Sequence, residues 1–209
     1  MTREPTRRRS VDQRHAGAYY HPHFDAHVIK VMLGQHKVTG RVDEMLVTTL
    51  GSCIAACIRD PVAGIGGMNH FLLPEIPDGA EDSINVAARY GSVAMELLIN
   101  QLLGAGARRN RLEVKVFGGA KVIESTLDVG AKNGEFVLGY IRNEGINLVG
   151  KDLGGTLARR IHYFPYTGRV LRRVLRAEAM SDTVSQELNF MHSLRQKPIE
   201  GDVELFGDD

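Results

Sequence analysis

Between Leu50 and Pro74 the chain reads L-G-S-C-I-A-A-C-I-R-D-P-V-A-G-I-G-G-M-N-H-F-L-L-P: two short apolar runs broken by glycines and by an Asp-Pro turn signal. Runs this short, bounded by Gly and Pro, read as strands and not as helices. The stretch predicts strands at Ile54–Arg59 and Ile65–Leu73, turned at Asp60–Pro61 and stopped by Pro74. It also carries one cysteine and one histidine, Cys53 and His70, 17 residues apart, a spacing that lets two strands bring thiol and imidazole together across a sheet. A cysteine nucleophile needs such a partner. The thiolate is the attacking species, and a free pKa of about 8.5 leaves only a few per cent of it ionised at neutral pH. An imidazole can take that proton and later return it to a leaving amine.

Each of these residues also has a plainer reading. A free cysteine is among the most buried residue types, so Cys53 also fits a core position. Cys57, mid-strand among Ile54, Ala55, Ala56 and Ile58, is read as core. A lone histidine in an apolar strand is commonly a satisfied core residue, and this applies to His70. What favours chemistry is the setting of Cys53 after Gly51 and Ser52, where a glycine lets a substrate approach and exposed N–H groups can form an oxyanion hole. Thr48 and Thr49 offer a hydroxyl to orient the imidazole, although β-propensity alone explains threonine in a strand. Asn69 is expected on the face opposite His70.

The rest of the chain alternates strand and helix. Strands are expected at Val28–Leu33, Met45–Thr49, Leu112–Phe117, Ile146–Val149, Arg159–Phe164 and Arg169–Arg176, and helices at Tyr90–Leu103 and Gly134–Asn143, the latter ended at Gly145. Glu75 to about Asn85 reads as a polar loop. The pattern predicts one α/β or α+β domain over residues 27–177. A basic arm, residues 1–26, precedes it, with five Arg and two acidic residues up to Gly17; an acidic tail, residues 178–209, follows it. The arm is expected to be flexible. The tail keeps two apolar stretches, Leu188–Leu194 and Val203–Phe206, suited to docking.

At 209 residues and a net charge of +1, nothing draws the chain to nucleic acid or to a membrane surface. No apolar run approaches the roughly 20 residues a membrane span needs, so no membrane insertion is expected. The N-terminus carries no secretory h-region, and two cysteines make no disulfide framework, so a reducing cytoplasm is the natural compartment. Cys53 and Cys57 lack a second ligand pair for zinc. His21, His23, Asp25 and His27 form an H-x-H-x-D-x-H run that fits a linker better than a metal site. Gly118–Gly119 and Gly154–Gly155 are turns that could rim a cleft but match no dinucleotide fingerprint.

Taken together, L-G-S-C-I-A-A-C-I-R-D-P (50–61), G-G-M-N-H-F-L-L-P (66–74), R-Y-G-S-V-A-M-E-L-L-I-N (89–100), K-V-F-G-G-A (115–120) and D-L-G-G (152–155) resemble, in order, the motifs of the chemoreceptor glutamine deamidase family, CheD. The resemblance covers about Val28 to Leu175. It implies a single-domain layered α/β sandwich with mixed sheets, similar to bacterial toxin deamidases. It implies hydrolysis of particular glutamine side chains on methyl-accepting chemotaxis receptors to glutamate and ammonia, with Cys53 as nucleophile, His70 as base and the backbone near Gly51 and Ser52 as oxyanion donor. No metal or organic cofactor is implied. A phosphatase of the CheC kind is an implied partner in some bacteria.

Two departures stand out. The family often places threonine six residues before the cysteine, which falls on Val47 here. Thr49 shares a strand face with Val47 and is therefore preferred to Thr48 as the orienting residue. After F-G-G-A the chain reads Val129–Gly130–Ala131–Lys132–Asn133, with lysine where the family often has arginine. The rival readings are a non-catalytic adaptor that binds receptors or a phosphatase, and an amidase for free small amides. Both tails lie outside the resemblance and are expected to be dispensable for the chemistry.

Overall fold

The computed structural model describes residues 15, 17–74, 83–122, 128–176 and 181–196. Ten strands make two five-stranded mixed sheets. The strands are β1 (Tyr19–His21), β2 (Ala26–Lys30), β3 (His36–Thr39), β4 (Glu44–Leu50), β5 (Ile54–Asp60), β6 (Ile65–Asn69), β7 (Glu113–Gly118), β8 (Asn147–Leu153), β9 (Arg159–Phe164) and β10 (Arg169–Val174). The first sheet runs β1-β2-β4-β9-β10 and the second β3-β6-β5-β7-β8. Pairing is antiparallel except for β2 with β4 and β7 with β8. Three helices complete the described fold: α1 (Ser83–Gly104), α2 (Val129–Asn143) and α3 (Ser181–Gln196).

Strand alternation builds the layers. On β5, Ile54, Ala56 and Ile58 join a core with Met95, Leu98 and Leu102 of α1 and Val137 and Ile141 of α2. The alternate residues Ala55 and Cys57, with Cys53 just before the strand, join a second core with Leu46, Leu50, Ile161 and Tyr163 of the first sheet. β5 is buried on both faces, which explains its unbroken apolar run. The order of layers is first sheet, second sheet, then helices α1 and α2. This is the layered α/β sandwich expected from the sequence.

The strands at Arg159–Phe164 and around Cys53 lie where they are expected, and the ends of the others shift by a few residues. Several expectations need correction. His36–Thr39 forms a strand, paired antiparallel with β6, that is too short and polar to show in the pattern. Helix α1 begins at Ser83 and α2 at Val129, each earlier than the sequence suggested. Asp128 accepts a hydrogen bond from the Ala131 N–H and so caps α2 ahead of its glycines. The histidine run is a β-hairpin and not a linker: Tyr20 faces His27 across β1 and β2, and the Tyr20 hydroxyl donates to Asp25 at 2.6 Å. The arm boundary at residue 26 is thus too late, because residues 19–21 add a strand to the first sheet. The tail boundary at 178 is also corrected, because α3 packs on the sandwich. Thr183, Glu187 and Met191 are buried and Phe190 is half-buried, whereas Leu188, part of the stretch expected to dock, is exposed. Residues 1–14, 75–82 and 203–206, which hold most of the expected arm, most of the polar loop and the second apolar tail stretch, lie outside the described residues.

Candidate active site

Cys53 ends the turn that carries the chain from β4 in the first sheet to β5 in the second. Three contacts fix the carbonyls of this turn. Ala120 N–H donates to Gly51 O at 2.8 Å, Gly119 N–H donates to Cys53 O at 2.8 Å, and Asn133 Nδ2 donates to Ser52 O at 3.0 Å. The Asn133 amide oxygen accepts from Leu73 N–H at 2.8 Å, so one α2 side chain ties both ends of the Leu50–Pro74 stretch. The turn can approach this closely because Gly118, at φ +115°, has no side chain; a Cβ there would lie 1.9 Å from Cys53 O. Gly154 N–H donates to Gly118 O, so the two glycine turns are neighbours beside the cysteine turn.

With the carbonyls engaged, the N–H groups of residues 51–53 converge on one acceptor, the carboxylate of Glu187 on α3. Gly51 N–H donates to Oε1 at 2.8 Å, Ser52 N–H to Oε2 at 2.9 Å, Ser52 Oγ to Oε2 at 2.6 Å, and Cys53 N–H reaches Oε1 at 3.4 Å. Successive N–H groups turned to one side make an anion-binding nest. Gly51 leaves room for this approach: a Cβ there would lie 2.7 Å from Val122 Cγ2 and 2.9 Å from Glu187 Oε1.

His70 follows β6. Ile54 and Phe71 exchange both backbone hydrogen bonds at 2.9 Å, so Ala55 lies opposite His70 and Cys53 is its diagonal neighbour on the same sheet face. Asn69 points the other way, as expected: its Oδ1 accepts from Ala56 N–H, and its Nδ2 donates to Ala94 O on α1. His70 Nδ1 lies 2.8 Å from Thr48 Oγ1, and that hydroxyl donates to Val31 O at 2.8 Å. Because the hydroxyl proton is committed to Val31, Thr48 can only accept from His70. This fixes the Nδ1–H tautomer and leaves Nε2 with its lone pair free. Nε2 is buried with no hydrogen-bond partner among the described residues.

Thr49 does not reach this site. Leu46, Thr48 and Leu50 form the buried inner set on β4, whereas Thr49 is half-exposed and accepts from Arg160 Nε at 3.3 Å. Strand alternation held; the error lay in transferring the face through Val47, which belongs to the outer set. We expect Thr48→Val to lower turnover roughly ten- to a hundredfold, the equivalent of the ~1–3 kcal/mol that an orphaned buried donor costs. Thr49→Val should leave turnover close to wild type. Steady-state rates of the two variants measure this, and the reverse ranking contradicts it.

Burial lowers the His70 pKa to about 4, against the opposing pull of the Glu187 carboxylate and the Val31 carbonyl. The imidazole is therefore neutral at physiological pH, as a proton acceptor must be. Burial also pushes the Cys53 thiol well up, and the charge and hydrogen bond of Glu187 push it the same way. With Glu187 seated, Cys53 is a thiol. Cys57 is raised by burial alone, with Lys115 opposing, and touches none of these groups through a hydrogen bond among the described residues.

The His70 shift has a measurable consequence. Its folded value lies below the ordinary 6.5, so the unfolded chain binds more protons between the two values. The stabilisation is complete above pH ~6.5 and is lost as pH falls toward 4, roughly 3 kcal/mol in all. Urea midpoints of wild type should fall across that window, and His70→Asn should lose this part of the slope. An unchanged slope in the variant contradicts the assignment.

Sequence reasoning missed Glu187 and the role of Asn133. A lone glutamate in an acidic tail gives no local signal. The hint was its helical spacing from Thr183 and Met191, four residues to either side.

Comparison with known proteins bears on the family of the chain. The family described as CheD chemotactic sensory transduction matches residues 72–174. A Rhodopseudomonas palustris protein described as a probable chemoreceptor glutamine deamidase CheD is 48% identical over 188 residues, covering 90% of this chain and 88% of its own. One from Halorhodospira halophila with the same description is 44% identical over 196 residues, covering 92% and 90%. A Bordetella avium counterpart is 51% identical over 165 residues, covering 78% and 72%. Among solved structures, the Neisseria meningitidis protein NMB0706 of family DUF152 overlaps 62% of this chain and 64% of its own at TM-score 0.40 and 9% identity, too loosely to bear on the site.

Proposed function

The chain belongs to the chemoreceptor glutamine deamidase family, CheD, and on that premise we propose that it hydrolyses glutamine side chains of chemotaxis receptors to glutamate, with Cys53 as nucleophile. The observation that carries the reading is the buried hydrogen-bond chain Val31–Thr48–His70, which leaves a free Nε2 on the Cys53 side of the sheet, beside three convergent backbone N–H groups.

In the proposed sequence His70 Nε2 takes the thiol proton as Sγ attacks the amide carbon. The N–H groups of Gly51, Ser52 and Cys53 hold the oxyanion. Collapse breaks the C–N bond, and the imidazolium gives its proton to the departing ammonia. Water, deprotonated by the same Nε2, attacks the thioester, and the proton returns to sulfur as the glutamate leaves. Thr48 does not touch the reacting atoms; it is a positioning residue that keeps the imidazole in one tautomer. These steps call on no group from outside the chain apart from water.

The natural substrate is a glutamine on a folded protein. A receptor helix offers surface with which to position one amide against Cys53, and a free amino acid offers little. Receptor signalling domains lie in the cytoplasm, which is where this enzyme would act; no described helix is long and apolar enough to cross a membrane. A phosphatase of the CheC kind as a further partner rests on the family resemblance alone. The test is ammonia release: above background from purified receptor cytoplasmic domains, none from millimolar glutamine. Comparable turnover of the free amino acid would replace this reading with a small-amide amidase.

A further inference from the structure

The group seated on the N–H groups of residues 51–53 is a glutamate side chain projecting from a helix, and a glutamate side chain is what deamidation of a helix-borne glutamine would leave behind. We propose that α3 is a built-in product mimic: its Glu187 holds the oxyanion donors in the resting chain, and a substrate helix must displace α3 and take the same groove. The inference rests on the deamidase reading and extends it to the shape of the substrate and to a means of control.

The geometry is that of a bound product. Four donors from residues 51–53, the Cys53 N–H among them, meet the two carboxylate oxygens. A glutamine presented in the same way would set its amide oxygen among the same N–H groups, with its carbonyl carbon beside Sγ. The helix is seated on both sides of that side chain. Thr183 and Met191, four residues before and after Glu187, are buried. The Phe190 ring packs over Gly34, where a Cβ would come within 3.2 Å of it. The outer face of α3 is exposed, with Asp182, Ser185, Gln186, Leu188 and Asn189 turned to solvent. One buried carboxylate and a narrow stripe therefore hold the helix, which suits an element that has to be replaced. The groove between Gly34 and the cysteine turn accepts an α-helix bearing one glutamine, with small or apolar residues one turn to either side.

While α3 is seated the enzyme is held off in two ways. The oxyanion donors are taken, and the carboxylate keeps the thiol protonated. A receptor helix has to compete with a tethered occupant, so activity depends on how tightly α3 docks as well as on the chemistry.

The experiment uses the full chain. Glu187→Gln places an amide where the carboxylate sits, and the inference expects the chain to hydrolyse it. Sγ adds to the side-chain carbon at position 187, ammonia leaves with the His70 proton, and water releases the acid and restores the thiol. Peptide mass spectrometry should find position 187 converted from amide to acid at a rate independent of protein concentration, with complete loss of conversion in the Glu187→Gln, Cys53→Ala double variant. In parallel, Glu187→Ala should raise the rate of Cys53 alkylation by iodoacetamide about tenfold, because the thiol loses a neighbouring anion and its cover, while Cys57 stays unreactive. Should that variant fail to fold, Met191→Arg, which unseats the helix and leaves the carboxylate in place, carries the same expectation. Persistence of the amide at position 187 in a preparation that does deamidate receptor domains would overturn the inference and leave the deamidase reading standing. Failure of wild type itself on receptor domains would overturn the deamidase reading, and this inference with it.

Discussion

Cys53→Ala abolishes receptor deamidation, a loss on the order of 10⁴-fold or more, because no other described group is placed to attack the amide. The fold should survive. The Cys53 carbonyl and N–H are fixed through the backbone, and removing one sulfur from the core between the sheets costs about 1 kcal/mol in transfer and cavity energy. Cys57→Ala is the paired control. Its thiol is just as buried and lies in the same core, yet burial and not Glu187 is what raises it. It should lose a similar amount of stability and keep its turnover. Rates and urea midpoints of both variants separate the roles, and full turnover in Cys53→Ala would remove the nucleophile from the account.

His70→Asn should lower turnover by at least the ~10²-fold typical of a lost general acid–base. The substitution keeps a polar group in the Thr48 pocket but supplies no proton acceptor toward Cys53. The readout that separates chemistry from packing is alkylation. In the Glu187→Ala background, where the thiol is uncovered, adding His70→Asn should slow the reaction of Cys53 near neutral pH and shift its pH profile toward that of an unassisted thiol. An unchanged alkylation profile would make His70 a core histidine held by Thr48 and nothing more.

Much of this site was legible before any coordinates. The glycine-broken run from Leu50 to Pro74 announced two strands with a cysteine at the break, and Asn69 and His70 divided their faces as a period of two requires. The orienting residue was less accessible. Two adjacent threonines on one strand point to opposite layers, and only the set formed by Leu46, Thr48 and Leu50, packed against Val31 and His70, decides between them. Asn133 stood in the Val129–Asn133 run, but its role could not be read there, because that role is to join Ser52 to Leu73 across 60 and more residues of chain. The tail was misread for a physical reason. Its net negative charge suggested a solvated segment, yet one of its carboxylates is buried against backbone N–H groups, with no basic side chain paired to it among the described residues, and no charge pattern records that kind of partner.

The most direct measurement is the mass of individual glutamines. A purified receptor cytoplasmic domain, incubated with wild-type chain and separately with Cys53→Ala, is digested and mapped by mass spectrometry. The account predicts that a few helical glutamines become glutamate, with one ammonia released per site, in the wild-type sample only. Receptor glutamines left intact by a folded wild-type chain, or converted equally by Cys53→Ala, would contradict it and favour an adaptor that binds receptors without acting on them.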